Sequence, residues 1–262
     1  MTSMLIRDLS VYDTSPINYG AYDGFIPRCY SGRSKDTLFE THKAGARQAG
    51  KPWWPYAFYN FNYPAAPQVY DVNAILQPDP GALPVFWDVE EWGSYRYPAR
   101  AVLIANLKVL HDGTLSGCGK KPGYYMNPAT IHYLKPIPQW LIECPLWIAN
   151  WGVSRPDFEP WQNYQFWQYH GEPDLNCYSG TEAEYWAFFG GQPPVPPPLP
   201  SKVVTTTGAL NIRSTPLGGI IGQAPLGTVF GVTGCANDNL GRKWWRCGSG
   251  YIASWFTVEY DG

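Results

Sequence analysis

The stretch FWDVEEW at positions 86–92 decides the fold and carries its most informative chemistry. The apolar residues before and within it are typical of a buried β-strand, and Asp88 and Glu90 follow at the carboxyl end of that strand. In an extended chain, residues two apart face the same side at a spacing of roughly 6–7 Å. Both carboxylates therefore point to one spot, whereas Val89 and Glu91 face the opposite side. A lone Asp-x-Glu is more often a solvated acidic loop, so the rest of the chain decides between the two interpretations.

Strand and helix patterns alternate on both sides of this stretch. The predicted strands are Gly24–Tyr30, Pro55–Phe61, Leu83–Trp87, Gly123–Met126, Pro145–Trp151 and Tyr164–Tyr169, and the predicted helices are Thr37–Gly50, Ala65–Leu76, Pro98–Leu110 (closed by Asp112-Gly113) and Pro128–Tyr133. So many β–α units within about 190 residues predict a mostly parallel sheet and favour an irregular, TIM-like (β/α) barrel over an open sheet. In such barrels the chemistry lies at the carboxyl ends of the strands, where Asp88 and Glu90 are placed.

A proline-rich run, GQPPVPPPLP at 191–200, divides the chain. Such a run favours an extended polyproline II rod, because proline cannot continue a helix or an inner strand. It is also the pattern of an SH3 or WW ligand, but its position between two compositionally different halves favours a spacer. We therefore predict an α/β domain over 1–190, a linker over 191–202 and a small all-β barrel domain over 203–262.

The composition of the chain limits the kinds of binding partner that we expect. The net charge is −2 and only 15% of the 262 residues are charged, with no basic stripe, so we expect no nucleic-acid partner. No run is long enough to span a membrane, and the start MTSMLIRDLS lacks the features of a signal peptide, which predicts a cytoplasmic origin. The 16% aromatic content suits either a core or a carbohydrate cleft, because sugar rings present apolar faces.

Cysteine and histidine spacing gives no support for a metal site or a cofactor. The six cysteines show no CxxC spacing and the four histidines no HxH or HExxH spacing. Reduced thiols are the default for a cytoplasmic chain, and whether Cys235 and Cys247 pair on neighbouring strands stays open.

Four carboxylates are candidate catalytic residues. Asp8 lies shortly after the apolar pair Leu5-Ile6, at the predicted end of the first strand. Asp88 and Glu90 lie at the end of a central strand, and Asp174 lies just past the last predicted strand. Each alone is most simply a cap or loop residue. Their common placement at strand ends predicts that they converge at one mouth of the barrel.

Six stretches resemble, in order, the motifs of one enzyme family. They are Asp8-Leu9-Ser10, Trp54-Pro55-Tyr56-Ala57-Phe58, Asp88-Val89-Glu90, Gly123-Tyr124-Tyr125-Met126-Asn127-Pro128, Leu146-Trp147-Ile148-Ala149-Asn150-Trp151, and Trp167-Gln168-Tyr169 with Asp174-Leu175-Asn176. The stretch 1–190 thus resembles the family 25 glycoside hydrolases, the Chalaropsis-type lysozymes that cut peptidoglycan. The chain departs from the family in two places: Val11-Tyr12-Asp13 follows the opening motif, which makes Asp13 the alternative to Asp8, and Ala57 stands where a histidine is usual.

The last sixty residues resemble a bacterial SH3-like (SH3b) cell-wall module. The matching stretches are Ala209–Pro216 (ALNIRSTP), Leu226–Val229 (LGTV), Trp244–Cys247 (WWRC) and Gly250–Ile252 (GYI). Together with the missing signal peptide, the combination resembles a phage endolysin, which implies residence in the host bacterial cytoplasm until release to the cell wall.

The resemblance implies roles for individual residues. Glu90 would donate a proton to the glycosidic oxygen between N-acetylmuramic acid and N-acetylglucosamine, Asp88 would orient the substrate's N-acetyl group, and Asp8 and Asp174 would shape the field; the retaining or inverting outcome stays open. The expected sugar-binding residues are Tyr56, Tyr125, Trp147 and Trp167, and the expected wall-binding residues, toward a stem or cross-bridge peptide, are Trp244, Trp245 and Tyr251. Any of these rings is about equally explained by core packing.

Three other interpretations are compatible with parts of the sequence. A chitinase-like glycosidase or a glucosaminidase would use the same barrel, but the extra acids of the chitinase DxxDxDxE strand are absent before Asp88. A non-catalytic wall-binding protein would not need the intact Asp-x-Glu. An amidase or peptidase would need a thiol–histidine or zinc arrangement, for which Cys29 with His42, His111, His132 or His170 offers no known pattern.

Overall fold

The computed structural model describes residues 4–77, 84–188, 200–238 and 242–260. The chain divides into two compact units, Met1–Pro193 and Pro194–Gly262. Most of the predicted linker, residues 191–199, lies outside the described residues, as does Leu83 at the start of the predicted fourth strand. The linker's conformation therefore stays a prediction.

The first unit is a closed eight-stranded barrel with helices between its strands. The strands are β1 (Leu5–Leu9), β2 (Gly24–Tyr30), β3 (Tyr56–Phe58), β4 (Phe86–Asp88), β5 (Gly123–Met126), β6 (Leu146–Ala149), β7 (Phe166–Gly171) and β8 (Asp174–Tyr178). The helices are α1 (Phe39–Gln48), α2 (Ala65–Leu76), α3 (Arg100–Cys118), α4 (Pro128–Leu134), α5 (Gln139–Ile142) and α6 (Glu182–Phe188). Strands β1 to β7 pair in parallel, and β8 closes the barrel antiparallel to both β7 and β1. The expected mixed α/β barrel with a mostly parallel sheet is confirmed.

Strand β8 was not predicted. Asp174 was expected just past the last strand, but it is the first residue of β8 and pairs with Gly171 across a tight hairpin. The segment DLNCY is short and follows a turn, and its inward-facing positions Asp174 and Asn176 are polar, so it does not show the apolar inner face typical of a barrel strand. Asp174 consequently points into the barrel mouth from the closing strand.

Helix α3 is longer than expected. It continues through Asp112-Gly113 to Cys118 and ends at Gly119, whose φ of 69° forms the left-handed cap and whose amide donates to Leu115 O at 2.9 Å. Gly113 does not end the helix: a Cβ there would lie 2.5 Å from Cγ1 of Val69 on α2. This glycine therefore serves the close approach of two helices.

The barrel has one apolar layer inside and another outside. Ile6, Trp54, Phe86 and Phe166 belong to the inner cluster, where the rings of Trp54 and Phe166 stack at 4.6 Å. Because side chains alternate along a strand, Phe86 and Asp88 face inward, whereas Trp87 faces the helices and its indole donates to Thr114 Oγ1 at 3.0 Å. The aromatic filling occludes the barrel interior, so the polar residues gather above it at the carboxyl ends of the strands.

The second unit is all-β. Its strands are β9 (Lys202–Thr205), β10 (Leu210–Arg213), β11 (Ile220–Ala224), β12 (Val229–Gly231), β13 (Gly234–Asn237), β14 (Lys243–Cys247), β15 (Gly250–Ala253) and β16 (Thr257–Glu259). They form a five-stranded sheet in the order β11-β10-β15-β14-β13 and a three-stranded sheet in the order β12-β9-β16, both antiparallel. A small core that includes Val203, Leu210, Trp244 and Ile252 holds them together. The small all-β architecture matches the expectation, while its identity as an SH3-like module stays a prediction.

Two sequence expectations concern the pairing of Cys235 with Cys247 and the absence of a membrane-spanning segment. Cys235 and Cys247 lie on the neighbouring strands β13 and β14, but Cys235 faces Trp245 across the ladder, and both thiols are free. Within the described ranges, no helix has the length and apolar character needed to cross a membrane.

Candidate active site

A cavity of about 550 Å³ opens at the carboxyl ends of the barrel strands. All four predicted carboxylates line it, together with aromatic and polar side chains. The lining residues are Asp8, Ser10, Val11, Tyr12, Arg28, Ser31, Tyr56, Phe58, Asp88, Glu90, Trp92, Tyr95, Tyr125, Trp147, Trp151, Gln168 and Asp174. Acids that are separated by up to 166 positions in sequence thus share one site, as their placement at strand ends predicts.

Strand register explains how the carboxylates meet. Asp8 faces inward near the end of β1, and Asp88 ends β4 between its ladder partners Phe58 on β3 and Tyr125 on β5. Glu90 follows two residues later and lines the same cavity, whereas Val89 is fully buried in the outer cluster. The predicted alternation of this stretch is therefore confirmed.

Asp88 is the most constrained of the four acids. It is buried, and its Oδ1 has no hydrogen-bond partner among the described residues. Burial, and then the negative charges of Glu90, Asp8 and Asp174, raise the pKa of Asp88 well above its usual value, while the Arg28 guanidinium opposes the rise. An unsatisfied buried acceptor beside a cavity is suited to receive a donor from a bound molecule.

The other three carboxyl groups also hold protons more tightly than usual. Burial, with a smaller effect from the charge of Asp8, raises the pKa of Glu90 to about 7. Burial raises the pKa of Asp174 to about 8 and that of Asp8 to about 6, although hydrogen bonds from Asn176 and Gln168 favour the ionised form of Asp8. Because these groups interact, the protons belong to the cluster, and near neutral pH it holds both protonated and ionised members. That is the condition for an acid and a carboxylate in one site.

Gln168 connects the acids to the aromatic wall. Its Nε2 donates to Asp8 Oδ2 at 3.0 Å and to Asp174 Oδ1 at 3.4 Å. Its Oε1 accepts from the Tyr125 hydroxyl at 3.0 Å and from the Trp151 indole at 3.1 Å. The buried amide thus uses its donors and its acceptor on four groups of the site, and it fixes two carboxylates relative to two rings.

Trp167 lies on the other side of the same strand. It was expected to bind sugar, but it does not line the cavity: its indole packs against the outer cluster and donates to Asn150 O at 2.9 Å. Alternation along β7 turns Phe166 and Gln168 inward and Trp167 outward. Applying strand alternation to WQY would have identified Gln168 as the residue that faces the site.

The other predicted sugar-binding rings, Tyr56, Tyr125 and Trp147, all line the cavity. Sequence reasoning missed three exposed rings at the rim: Tyr12, Trp92 and Trp151 are 66%, 53% and 55% exposed. Tyr12 and Trp92 lie 6.1 Å apart, centroid to centroid. Exposed aromatic faces beside an acidic cavity are suited to stack on sugar rings.

Arg28 is a further missed site residue. It lies on β2, lines the cavity, and pairs through Nε with the buried Asp36 Oδ2 at 2.7 Å. Its guanidinium also lies 5.2 Å from the centroid of the Tyr12 ring. No spacing in GFIPRCY distinguishes this arginine from a surface one, so only the fold identifies it.

Asp13 does not reach the cavity. It pairs with Arg7 at 2.9 Å and accepts the Ser10 amide at 2.8 Å, which holds the loop after β1. Asp8, not Asp13, is therefore the carboxylate that β1 brings to the site.

In the part of the chain that the structure describes, Cys29 and the histidines do not form the thiol–histidine pair that an amidase or peptidase would need at the cavity. Cys29 is buried in the outer cluster, where burial strongly raises the pKa of its thiol. His42 lies on α1, and its ring nitrogens contact the Tyr19 hydroxyl at 2.9 Å and Ser10 O at 3.1 Å. Among the described residues, no cysteine or histidine lines the cavity, and no group of three or more His, Cys, Asp or Glu is arranged to hold a metal ion.

The predicted wall-binding residues are partly core residues of the second unit. Trp244 is buried, and its indole donates to Asp238 Oδ2 at 3.0 Å. Trp245 and Tyr251 are half-buried and pack against the same core, and the Trp245 indole donates to Thr257 Oγ1 at 3.0 Å. These hydrogen bonds and core contacts of the three rings all lie within the second unit.

Comparison with protein families decides the affiliation. The model for glycosyl hydrolases family 25 matches residues 26–176, more than half of the chain. The chain belongs to glycosyl hydrolase family 25. The match runs from β2 to β8 and contains Asp88, Glu90 and Asp174, so the acidic cavity is the candidate active site of a family 25 glycoside hydrolase.

Solved structures of low sequence identity share this family 25 fold. A family GH25 lysozyme from Aspergillus fumigatus and a muramidase from Trichobolus zukalii are each 18% identical with a TM-score of 0.62, covering 71% of this chain and 99% and 98% of theirs. The spore cortex lytic enzyme SleM of Clostridium perfringens is 18% identical with a TM-score of 0.59 and covers 98% of this chain and 97% of its own. No curated protein sequence matches this chain.

Proposed function

We propose that this family 25 hydrolase cleaves the glycan strands of bacterial peptidoglycan at the β-1,4 bond between N-acetylmuramic acid and N-acetylglucosamine. The observation that carries the proposal is the pair Asp88 and Glu90 within a ring-lined cavity, with the pKa of Glu90 raised to about 7. Supporting it, the fold is shared with proteins described as muramidases and lysozymes. The cavity combines aromatic rings that can stack on sugars, an acid that can donate a proton (Glu90) and an acceptor without a partner (Asp88 Oδ1), and these are the groups that hydrolysis of such a glycan requires.

Glu90 is the general acid. Its carboxyl proton goes to the glycosidic oxygen as the bond from that oxygen to the anomeric carbon breaks, which leaves Glu90 as a carboxylate. Partial burial keeps the group protonated near neutral pH. Positioned proton donation of this kind contributes about 10²- to 10⁴-fold in rate.

Asp88 acts on the substrate's own N-acetyl group. Its unpartnered Oδ1 accepts the acetamido N–H, and the acetamido carbonyl oxygen then forms a bond to the anomeric carbon as the leaving group departs. Water next adds to that carbon, giving its proton to the Glu90 carboxylate, and the acetamido oxygen is released. Atoms and charge balance over the two steps, and the acid returns to its starting form.

Asp8 and Asp174 support this pair from the opposite side of the barrel. Gln168 holds both of them, and their negative charges raise the pKa of Asp88. We propose that the negative charge shared by these two acids stabilises the cationic anomeric carbon in the transition state.

The second unit would keep the enzyme on the wall. We propose that it binds the stem or cross-bridge peptide and raises the effective concentration of glycan at the barrel. We further propose that the protein is a phage endolysin that stays in the host cytoplasm until it reaches the wall.

A pair of adjacent variants tests the catalytic proposal. Glu90→Gln keeps the shape of the side chain and removes the proton donor, and we expect it to clear a cell-wall suspension at least 10²-fold more slowly than the wild type. Glu91→Gln is the matched control, because Glu91 is exposed and accepts only the Tyr97 amide among the described contacts. Clearing by Glu90→Gln at the control's rate would show that the assignment is wrong.

A further inference from the structure

The second unit carries a groove of about 310 Å³ that the proposed mechanism does not use. It lies where β10 meets β14, β15 and the 3₁₀ turn Ser254–Phe256. Its walls are apolar and aromatic with two arginines, and they include Leu210, Arg213, Leu217, Arg242, Trp255 and Phe256. Among the described residues that line it, none is acidic.

Apolar side chains are exposed at this groove although they border the core. Leu217, Trp255 and Phe256 are each more than 40% exposed. The Trp255 ring meets the buried Trp244 edge-on at 5.3 Å, and the Arg242 guanidinium lies 5.1 Å from its centroid. Trp255 is therefore held on two neighbours while part of its surface stays open, which makes it a rigid platform for an apolar group.

The backbone at Leu217 supports the same interpretation. Its φ is 60°, in the left-handed region that non-glycine residues rarely adopt. This conformation leaves the leucine exposed at the groove next to the turn closed by the Gly218 amide and Thr215 O at 2.8 Å. Strain of this kind, retained to present an apolar side chain outward, is typical of binding sites.

Arg213 gives the groove its charge. Its Nη1 donates to Gly218 O at 2.7 Å, and no acid pairs with it within the described part of the chain. Arg242, in contrast, pairs with Asp238 at 2.9 Å. Residues 202–262 contain five Lys or Arg and three Asp or Glu, so the unit is net +2 while the whole chain is −2. A guanidinium with free N–H groups matches the planar geometry of a carboxylate.

We infer that this groove binds a peptide that carries a free carboxylate beside small apolar side chains, with the carboxylate on Arg213 and the apolar groups on Trp255 and Leu217. Stem peptides of peptidoglycan have this chemistry, since they combine free carboxylates with alanine methyl groups. The inference rests on the proposed wall-binding role of the second unit. It also centres the contact surface on the exposed Trp255 and not on Trp245 and Tyr251, which pack against the core, while the buried Trp244 lines the groove behind Trp255.

Calorimetric titration of the full chain with two synthetic peptides tests this inference. The probes are Ala-γ-D-Glu-Lys-D-Ala-D-Ala and the same peptide with every carboxylate converted to an amide. We expect the wild type to bind the free acid at least ten-fold more tightly than the amide. Arg213→Gln should lose this preference, Arg213→Lys should keep part of it, and Trp255→Ala should weaken the binding of both peptides. Arg246→Gln is the matched control, an exposed arginine on β14 outside the groove, and should bind like the wild type.

Three results would overturn the inference: no binding by the wild type, equal binding of the two peptides, or an unchanged preference in Arg213→Gln. The acid-to-amide comparison needs no variant, so the test stands even where a substitution unfolds the unit. Release of glycan fragments by the wild type is measured in parallel. Fragments without peptide binding would remove this inference and leave the hydrolase proposal intact, and peptide binding without fragments would do the reverse.

Discussion

Glu90 and Glu91 are neighbours in sequence, yet only Glu90 lines the cavity. Glu91 is exposed and accepts the Tyr97 amide at 2.9 Å. The difference is one of direction along an extended segment, and it determines which carboxyl group is buried enough to hold a proton at neutral pH.

The pH profile should report the Glu90 carboxyl group. Its pKa of about 7 means that kcat/KM falls as pH rises through that value, because the acid must be protonated in the free enzyme. Since the charge of Asp8 contributes to the rise, Asp8→Asn should lower the pKa of Glu90 and move the falling limb to lower pH. Hydrolysis of soluble glycan fragments across pH 4–9 measures this, and a limb that stays in place would contradict it.

Gln168 should act as a positioning residue. Gln168→Met keeps the approximate volume but removes all four polar contacts to Asp8, Asp174, Tyr125 and Trp151. We expect kcat to fall by about 10²-fold, the size of effect that a misplacement of catalytic groups produces. Loss of the amide N–H should also raise the pKa of Asp8, so the pH profile should change shape. A lower Tm with an unchanged profile and kcat would indicate a purely structural role.

At the scale of elements, prediction from sequence succeeded where one pattern determined the outcome. Strands β2 and β5 and helix α2 have the predicted ends, because proline, glycine and apolar spacing mark them locally. Helix α3 and strand β8 depend on neighbours instead. Gly113 is tolerated in α3 by its fit against Val69, and β8 exists because the barrel needs a closing partner for β1 and β7.

The residues of the site likewise fall into those that the sequence identifies and those that only the fold reveals. The meeting of Asp8, Asp88 and Glu90 was predictable, because the carboxyl ends of parallel strands share one edge. Asp174 reaches the same edge from the first residue of the antiparallel β8, directly after β7 ends there. Arg28 and Gln168 were not identified: no local pattern in β2 marks Arg28 as a site residue, and the contact of Gln168 with Asp8 joins residues far apart in sequence. Trp167 was assigned to the site from its residue type alone, although strand alternation turns it outward.

Asn176 tests how β8 is fixed to the barrel. This fully buried residue donates to Asp8 Oδ2 at 2.8 Å, and its Oδ1 accepts from the Trp147 indole at 2.7 Å. Asn176→Ala leaves the buried Trp147 indole without this acceptor and removes one of the two amide donors to Asp8 Oδ2, which should cost about 1–3 kcal/mol in the free energy of unfolding. Calorimetry should show this as a lower Tm. The exposed Asn62→Ala is the control, and an equal Tm in both variants would contradict the assigned role.

At the scale of the whole molecule, the buried acids oppose folding while they serve the site. Asp8, Glu90 and Asp174 have pKa values of about 6, 7 and 8, all above their usual values. The folded chain therefore binds more protons than the unfolded chain between about pH 4 and 8, and its stability should fall as pH rises through that window. We expect a higher Tm at pH 5 than at pH 8.

Asp174→Asn should make this difference smaller, because it removes one of the groups responsible. Calorimetric scans of the wild type and the variant at both pH values measure it. A variant whose Tm falls from pH 5 to pH 8 as much as the wild type's would show that Asp174 does not contribute.

The most direct test of the central claim is mass analysis of the soluble products from purified peptidoglycan incubated with the wild type and with Glu90→Gln. We predict that the wild type releases muropeptides ending in N-acetylmuramic acid at the reducing end, with their stem peptides intact, and that Glu90→Gln releases almost none. Intact glycan strands with cleaved peptides, N-acetylglucosamine at the reducing ends, or equal release by Glu90→Gln would contradict the account.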